Sequence, residues 1–176
     1  KVRAIKRVQS NTDFVRQVFS YYTEKADALF QKIEWVDADI LNLSELDFAI
    51  QGTTKVYHCA AWISFNPRHK TKMMHTNMEG TSNVVNLCLA HRIQKLCYVS
   101  SVAAIGQAID GGSIDENAPW ENSPRNSYYA LSKYRSEMEV WRGSEEGLNA
   151  VIVCPAIILG PGKGENGSSR RCTQVG

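Results

Sequence analysis

Apolar residues along this chain fall into two alternating rhythms, one with the period of a strand and one with that of a helix. Lys1 to Lys6 predicts a short strand, a polar loop occupies Gln9 to Thr12, and Asp13 to Gln31 predicts an amphipathic helix with Phe14, Val18, Tyr21, Leu29 and Phe30 on its apolar face. Ile33 to Asp37 predicts a second strand. The helix after it is expected to open at Ser44 as N-cap, with Asp47 three residues on, and to close at Gly52. The pattern then repeats: a strand at Lys55 to Cys59, a long helix from about Met73 to His91, and a strand at Lys95 to Ser100. A loop rich in Gly, Asn, Pro and Ser covers Gly106 to Ser127, punctuated by Gly111-Gly112 and Pro119. It is followed by a helix at Tyr128 to Glu145 and a buried strand at Ala150 to Cys154 that stops at Pro155. Strands alternating with helices imply parallel strands joined by right-handed crossovers, so the fold class expected is α/β, a doubly wound parallel sheet.

The order of elements also suggests boundaries. Residues 1–160 read as one partial domain, and 161–176 as a truncated tail or the start of another region, with five glycines from Gly160 on and a basic pair at Arg170-Arg171. Lys1 already stands inside a strand with no methionine before it, which suggests an internal piece of a longer protein.

Composition narrows the classes of function. Of 176 residues 43% are apolar and 22% charged, the balance of a globular domain. Net charge is +2 with the basic residues dispersed, so neither a nucleic acid nor a membrane surface is an expected partner. No apolar run approaches the roughly 20 residues that span a bilayer, no basic-then-apolar stretch opens the chain, and a cytoplasmic location is expected. The five cysteines, Cys59, Cys88, Cys97, Cys154 and Cys172, are odd in number, form no C-x-x-C pair and read as reduced core residues. The four histidines, His58, His69, His75 and His91, show no metal-ligand spacing, so no metal is assigned. Trp62, Trp120 and Trp141 read as packing or pocket-wall residues.

In open parallel sheets ligands gather at the carboxyl ends of the strands. Here those ends carry Lys6-Arg7, Asp37-Ala38-Asp39-Ile40, His58-Cys59-Ala60-Ala61, Ser100-Ser101 and Pro155. Tyr129 and Lys133 lie four apart in a helical segment and share one face. A phenol has a pKa near ~10, and a nearby ammonium favours its phenolate, which makes Tyr129 a candidate general acid/base. The same spacing also occurs on ordinary exposed helix faces. Ser101 stands where its hydroxyl could bond a substrate oxygen; a turn or N-cap serine is the alternative.

The strings "YVSSVAAIG", "YYALSKYRSEMEV" and "VIVCPAIILGPG", in that order and spacing, resemble the extended short-chain dehydrogenases, the NAD-dependent epimerase/dehydratase group, and within it dihydroflavonol reductase-like and 3β-hydroxysteroid dehydrogenase-like members. The resemblance runs from Lys1 to about Ser169. It implies a Rossmann-type sheet and an NAD(P)-dependent enzyme that moves hydride between cofactor and a carbonyl or secondary alcohol of a small molecule. Tyr129 would be the proton donor or acceptor, and Lys133 would hold the nicotinamide ribose and lower the Tyr129 pKa. Ser101 would polarise the substrate carbonyl, and Asn77 would support local geometry and a water relay, a buried structural asparagine being the alternative.

The resemblance also implies that Asp39 and Ile40 contact the adenine, unless Asp39 is simply a turn aspartate. Ala60 and Ala61 would let the cofactor approach the backbone, or else pack tightly. Pro155 would lie beside the nicotinamide, or merely terminate its strand. Arg7, beside Lys6 and with no acid before Asp13, favours NADP over NAD, because a basic residue at this strand end accommodates a 2′-phosphate; a solvated surface pair is the alternative.

Two parts of the family pattern are not found in these residues: the first strand with its G-x-x-G-x-x-G turn and helix, expected before Lys1, and the C-terminal substrate lobe, expected after Gly167 to Ser169. Without them the isolated 176 residues are expected to turn over negligibly. A nucleotide-sugar epimerase or dehydratase is the rival activity, and a noncatalytic NAD(P)-sensing module the rival of another class. A homodimer of the full-length protein is a further expectation.

Overall fold

The computed structural model describes residues 1–106, 114–158 and 160; the calls on Gly111-Gly112 and on the 161–176 tail lie outside them. Five strands and five α-helices appear in the order β1 (Val2–Lys6), α1 (Asp13–Ser20), α2 (Ala26–Phe30), β2 (Ile33–Asp37), α3 (Leu43–Ile50), β3 (Lys55–His58), α4 (Lys70–Ala90), β4 (Lys95–Val99), α5 (Tyr128–Glu145) and β5 (Ala150–Val153). Single 3₁₀ turns at Pro67–His69 and Val102–Ala104 precede α4 and follow β4.

All pairings are parallel, as alternating strands and helices require. β1 pairs with β2, Val2 opposite Ile33 through Lys6 opposite Asp37, and β4 lies between β3 and β5, with Tyr57 opposite Cys97 and Val99 opposite Val153. Between β1 and β3 no ladder forms. A cleft of about 790 Å³ separates them, walled by Val2 to Ile5 and Lys55 to His58 and floored by Ile40, Leu46, Ile50 and Val84. Both facing strand edges are open there, so the cleft offers the pairing groups for one more parallel strand.

The core gathers on one face of β4. Leu96 and Tyr98 point into a cluster with Leu46 and Ile50 of α3, Val84, Val85 and Cys88 of α4, and Val140 of α5. The opposite face carries Tyr57, Val151 and Val153, all exposed. Arg3 fastens the β1–β2 pair to this body by donating to the Ala49 and Gln51 carbonyls at the end of α3, at 3.0 and 2.8 Å, groups that the helix itself leaves unpaired. No helix among the described residues is long and apolar enough to cross a membrane.

Several boundaries differ from expectation for local reasons. The helix expected over Asp13 to Gln31 is two, α1 and α2, because the Thr23 hydroxyl accepts from the Lys25 amide at 3.1 Å, a side-chain-to-backbone bond that competes with continued helix. The cap of α3 is Asn42, which accepts from the Glu45 amide, rather than Ser44. Gly52 does follow that helix at φ +73°, a left-handed turn that suits glycine. Helix α4 begins three residues earlier than expected, behind Pro67. Helix α5 begins and ends where the sequence placed it, capped by Ser127, whose hydroxyl accepts from the Ala130 amide at 3.0 Å. Of the cysteines, Cys88 is core, whereas Cys59 is exposed, because its strand stops at His58.

Candidate active site

Strand β4 hydrogen-bonds to a neighbour along both edges, which makes its carboxyl end a fixed rim on which side chains can be aimed. The chain leaves it through Ser100 and Ser101. The Ser101 hydroxyl accepts from the Ala103 amide at 3.1 Å, and so caps the 3₁₀ turn, the structural role that its position allowed. It also stands near enough to the Tyr129 phenol to act on its pKa.

Tyr129 sits in the first turn of α5, half-buried. Burial raises its pKa above the usual tyrosine value, and the Ser101 hydrogen bond works in the opposite direction. The phenol thus keeps its proton at neutral pH and is poised to donate it. Lys133, one turn on, is buried, and its ammonium donates to the Val99 carbonyl at 2.7 Å and lies 4.5 Å from the centre of the Tyr98 ring. Desolvation draws its pKa down to about 8, against the influence of Glu137, Cys154 and Cys59. In this arrangement the ammonium faces the β4 backbone, and the lowering of the Tyr129 pKa that the resemblance implied is not among the effects acting on the phenol. Ser101, Tyr129 and Lys133 nevertheless converge on the same strand end.

Asn77 is almost fully buried in α4, and its amide is consumed locally. Its Oδ1 accepts from the Trp62 amide at 2.7 Å, and its Nδ2 donates to the Trp62 carbonyl at 3.0 Å and to Ser132 Oγ at 2.9 Å. Ser132 in turn donates to the Tyr129 carbonyl at 2.7 Å. Asn77 therefore pins the segment after β3 to the turn of α5 that carries Tyr129. Thr81 Oγ1 donates to the Asn77 carbonyl at 2.6 Å, which leaves it to accept from His58 Nε2 at 3.0 Å. Buried and beside Lys133, His58 has its pKa pushed down to about 3 and stays neutral.

The remaining expected residues lie past the carboxyl ends of the strands of both sheets, with unequal commitments. Pro155 accepts from the Val102 amide at 3.1 Å and so lies against the exit of β4. Ala60 and Ala61 are exposed just past β3, and Ala60 lines the β1–β3 cleft. Arg7 is exposed at the end of β1, while its neighbour Lys6 is paired with Asp37. Asp39 makes a turn, its carboxylate accepting from the Leu41 amide at 2.9 Å. The Ile40 side chain is in the core at the floor of the β1–β3 cleft, so close to Gly80 that a Cβ there would lie 2.3 Å from Ile40 Cδ1, and its carbonyl accepts from Asn83 Nδ2 at 3.0 Å. The segment leading to α5 closes over the β4 exit: a Cβ on Gly106 would sit 1.9 Å from the Pro119 carbonyl oxygen, and Trp120 stacks on Tyr134 at 4.3 Å.

One group was not foreseen. Glu137, a further turn along α5 from Lys133, is half-buried and accepts from the Ser100 hydroxyl and from Cys154 Sγ. The signal was present in the chain as the spacing Tyr129, Lys133, Glu137, four residues apart each time.

These residues suit the nicotinamide and ribose portions of a dinucleotide: small side chains at the β3 exit, a free guanidinium at the β1 end, and an ammonium with one protein acceptor at the β4 end. A cradle for its pyrophosphate is not among them, since the 176 residues contain no G-x-x-G-x-x-G turn. Residues 3–175 match the NAD dependent epimerase/dehydratase family. A Synechocystis protein whose name provisionally assigns it as a dihydroflavonol 4-reductase is 30% identical over 161 residues, covering 92% of this chain and 43% of that relative. The 3beta-hydroxysteroid-dehydrogenase/decarboxylase isoform 1 of Arabidopsis thaliana is 27% identical over 132 residues, 74% of this chain and 30% of its own length. Among solved structures, gox2253 superposes with a TM-score of 0.72 at 32% identity, over 88% of this chain and 43% of that one. The chain thus spans less than half the length of these relatives, and with its parallel sheet and its Ser101–Tyr129–Lys133 rim it belongs to the NAD dependent epimerase/dehydratase family, of the extended short-chain dehydrogenase/reductase type.

Proposed function

We propose that the protein containing these residues is an NAD(P)-dependent oxidoreductase acting on a carbonyl or secondary alcohol of a small apolar molecule, with Tyr129 as its general acid/base. The observation that supports this reading is that a half-buried phenol near the Ser101 hydroxyl and the buried Lys133 ammonium are gathered at one strand end, the ammonium on the Val99 carbonyl. A bound nicotinamide supplies or accepts the hydride. In the direction of reduction Tyr129 donates its proton to the substrate oxygen and Ser101 donates a hydrogen bond to the same atom, so that charge developing there is met by two fixed donors. In the reverse direction Tyr129 must lose its proton, and an ammonium swung from Val99 towards the phenol favours that form.

The segment after β3 supports an apolar substrate, because Ile63 and Phe65 stand exposed beside Trp62, which Asn77 fixes to the site. Epimerisation or dehydration of a nucleotide sugar uses the same hydride and proton steps and is the rival. Arg7 supports NADP. Its exposed guanidinium is unencumbered by the ion pair that occupies Lys6, and a charge-assisted bond to a 2′-phosphate is worth about 1.5–3 kcal/mol. Arg7→Ala should therefore raise the NADPH KM on the order of 10- to 100-fold while leaving that for NADH within a factor of about two. Equal effects on both cofactors would remove the case for NADP.

The decisive assay uses the complete protein, with NADPH deuterated at the transferable position and aryl and alicyclic ketones in one set of vessels, and with oxidised NAD or NADP and nucleotide sugars in another. Deuterium in a product alcohol supports the oxidoreductase; turnover of the sugars alone, with no net change in the cofactor, establishes the rival.

A further inference from the structure

A half-buried carboxylate at the rim of this sheet is costly unless it serves a charge, and among the described residues Lys133 is the cation that acts on it. We propose that Glu137 is the positioning residue of the site, the counter-charge that keeps the Lys133 ammonium protonated and aimed at the end of β4. This rests on the reading of Lys133 as the cofactor-ribose residue.

Three observations carry it. Glu137 follows Lys133 by one helical turn on α5, the spacing at which opposite charges face each other. Its Oε1 is fixed from two directions, by the Ser100 hydroxyl at the end of β4 and by Cys154 Sγ at 3.7 Å just past β5, so one carboxylate ties two strand ends to the helix. Among the described residues the Lys133 ammonium touches only a backbone carbonyl and an aromatic face, Val99 O and the Tyr98 ring, and no carboxylate lies within 4 Å of it, so Glu137 acts on it from one turn away rather than by direct contact.

Every group acting on that ammonium can be named. Cys59, past β3, and Cys154, past β5, influence it, but burial raises both thiols, which therefore stay neutral at neutral pH. His58 on β3 is held neutral, and burial pushes the Tyr98 phenol on β4 well above its ordinary value. Glu137 is left as the one anion among the described residues that opposes the desolvation of Lys133. Its own pKa is raised by burial and drawn back down by Ser100, Cys154 and Lys133, so the two charges support one another.

The test separates charge from shape. In Glu137→Gln the amide oxygen can still accept from Ser100, but the negative charge is gone. In the complete protein labelled with ¹³Cε-lysine, and with the Lys133 resonance assigned through Lys133→Arg, the wild-type titration should centre near pH 8. Glu137→Gln should increase the Lys133 acid dissociation constant about tenfold or more, since a neighbouring opposite charge is worth at least that. Glu137→Asp, which restores a carboxylate, should recover most of the difference. An unchanged titration in Glu137→Gln would reduce Glu137 to a structural tie between strands and overturn the proposal.

Should the variant fail to fold, the wild-type ¹³Cδ titration of Glu137 decides: ionisation below pH 7 supports the pairing, and a carboxyl still protonated at pH 7 refutes it. The alkaline or acid limb of kcat/KM that tracks Lys133 should move with the variant by the same factor. A shifted Lys133 titration without any movement of the kinetic profile would uphold the pairing and refute instead the assignment of Lys133 to cofactor binding.

Discussion

The two ends of this chain use the same parallel pairing for different purposes. In β1, α1, α2 and β2 the side chains are mostly half-exposed, α1 buries none of its residues, and ion pairs such as Arg16 with Asp27 lie in solvent. In β3, α4, β4, α5 and β5 the chain buries Leu96, Tyr98, Val85 and Val140 almost completely, and beside them a continuous polar network of His58, Thr81, Asn77, Ser132 and Ser136. The candidate site residues Ser101, Tyr129 and Lys133 all belong to the second region. A buried polar network holds geometry because each lost partner leaves a group unsatisfied in a poor solvent, whereas exposed pairs contribute little and can rearrange.

That contrast can be broken by substitution. Leu96→Ala, at the centre of the covered face of β4, should cost about 2–5 kcal/mol in urea unfolding, the range for removing a buried leucine side chain. Asn77→Ala should cost about 1–3 kcal/mol, because the Trp62 amide and carbonyl lose their shared partner; it should also lower kcat by releasing the turn of α5 that bears Tyr129. A graded effect comes from pH. The folded-state pKa of His58 lies below its unfolded value, near 3 against 6.5, so between those values the unfolded chain binds the extra proton. Stability should fall as pH drops through that window, with a slope of at most about 1.4 kcal/mol per pH unit from this group, and His58→Asn should flatten it. Tyr22→Ala, exposed in the turn between α1 and α2, should change stability by no more than about 0.5 kcal/mol. Equal costs for Leu96→Ala and Tyr22→Ala would erase the distinction between the two regions.

The same contrast decided what was legible in the sequence. Helix α5 could be placed to the residue because it follows a loop rich in turn-forming residues, and the strands followed from short apolar runs bounded by polar residues, although β3, β4 and β5 each end one residue before the expected Cys59, Ser100 and Cys154. The split between α1 and α2 depends on one hydroxyl–amide bond at Thr23, which periodicity does not register. Within the site, Tyr129, Lys133 and Ser101 were visible through spacing and resemblance. The clamp made by Asn77 on Trp62 and Ser132 joins residues 15 and 55 positions apart, and such bonds exist only once the chain is folded. Ile40, which the resemblance placed against the adenine, packs its side chain on Gly80 of α4 at the floor of the β1–β3 cleft, a close approach that periodicity does not register. Glu137 was within reach, since it continues the four-residue spacing of the helix face, but a carboxylate on a helix ordinarily reads as solvated surface.

The account stands most directly on Ser101 and Tyr129 acting on one substrate oxygen, and a double-mutant cycle on turnover measures that. Tyr129→Phe should lower kcat/KM by roughly 10²- to 10⁴-fold with cofactor binding near normal, and Ser101→Ala should have a lesser effect. Because the two act as a unit, the double variant should be hardly worse than Tyr129→Phe alone. Losses that simply multiply would place the two hydroxyls in separate roles and contradict the shared site.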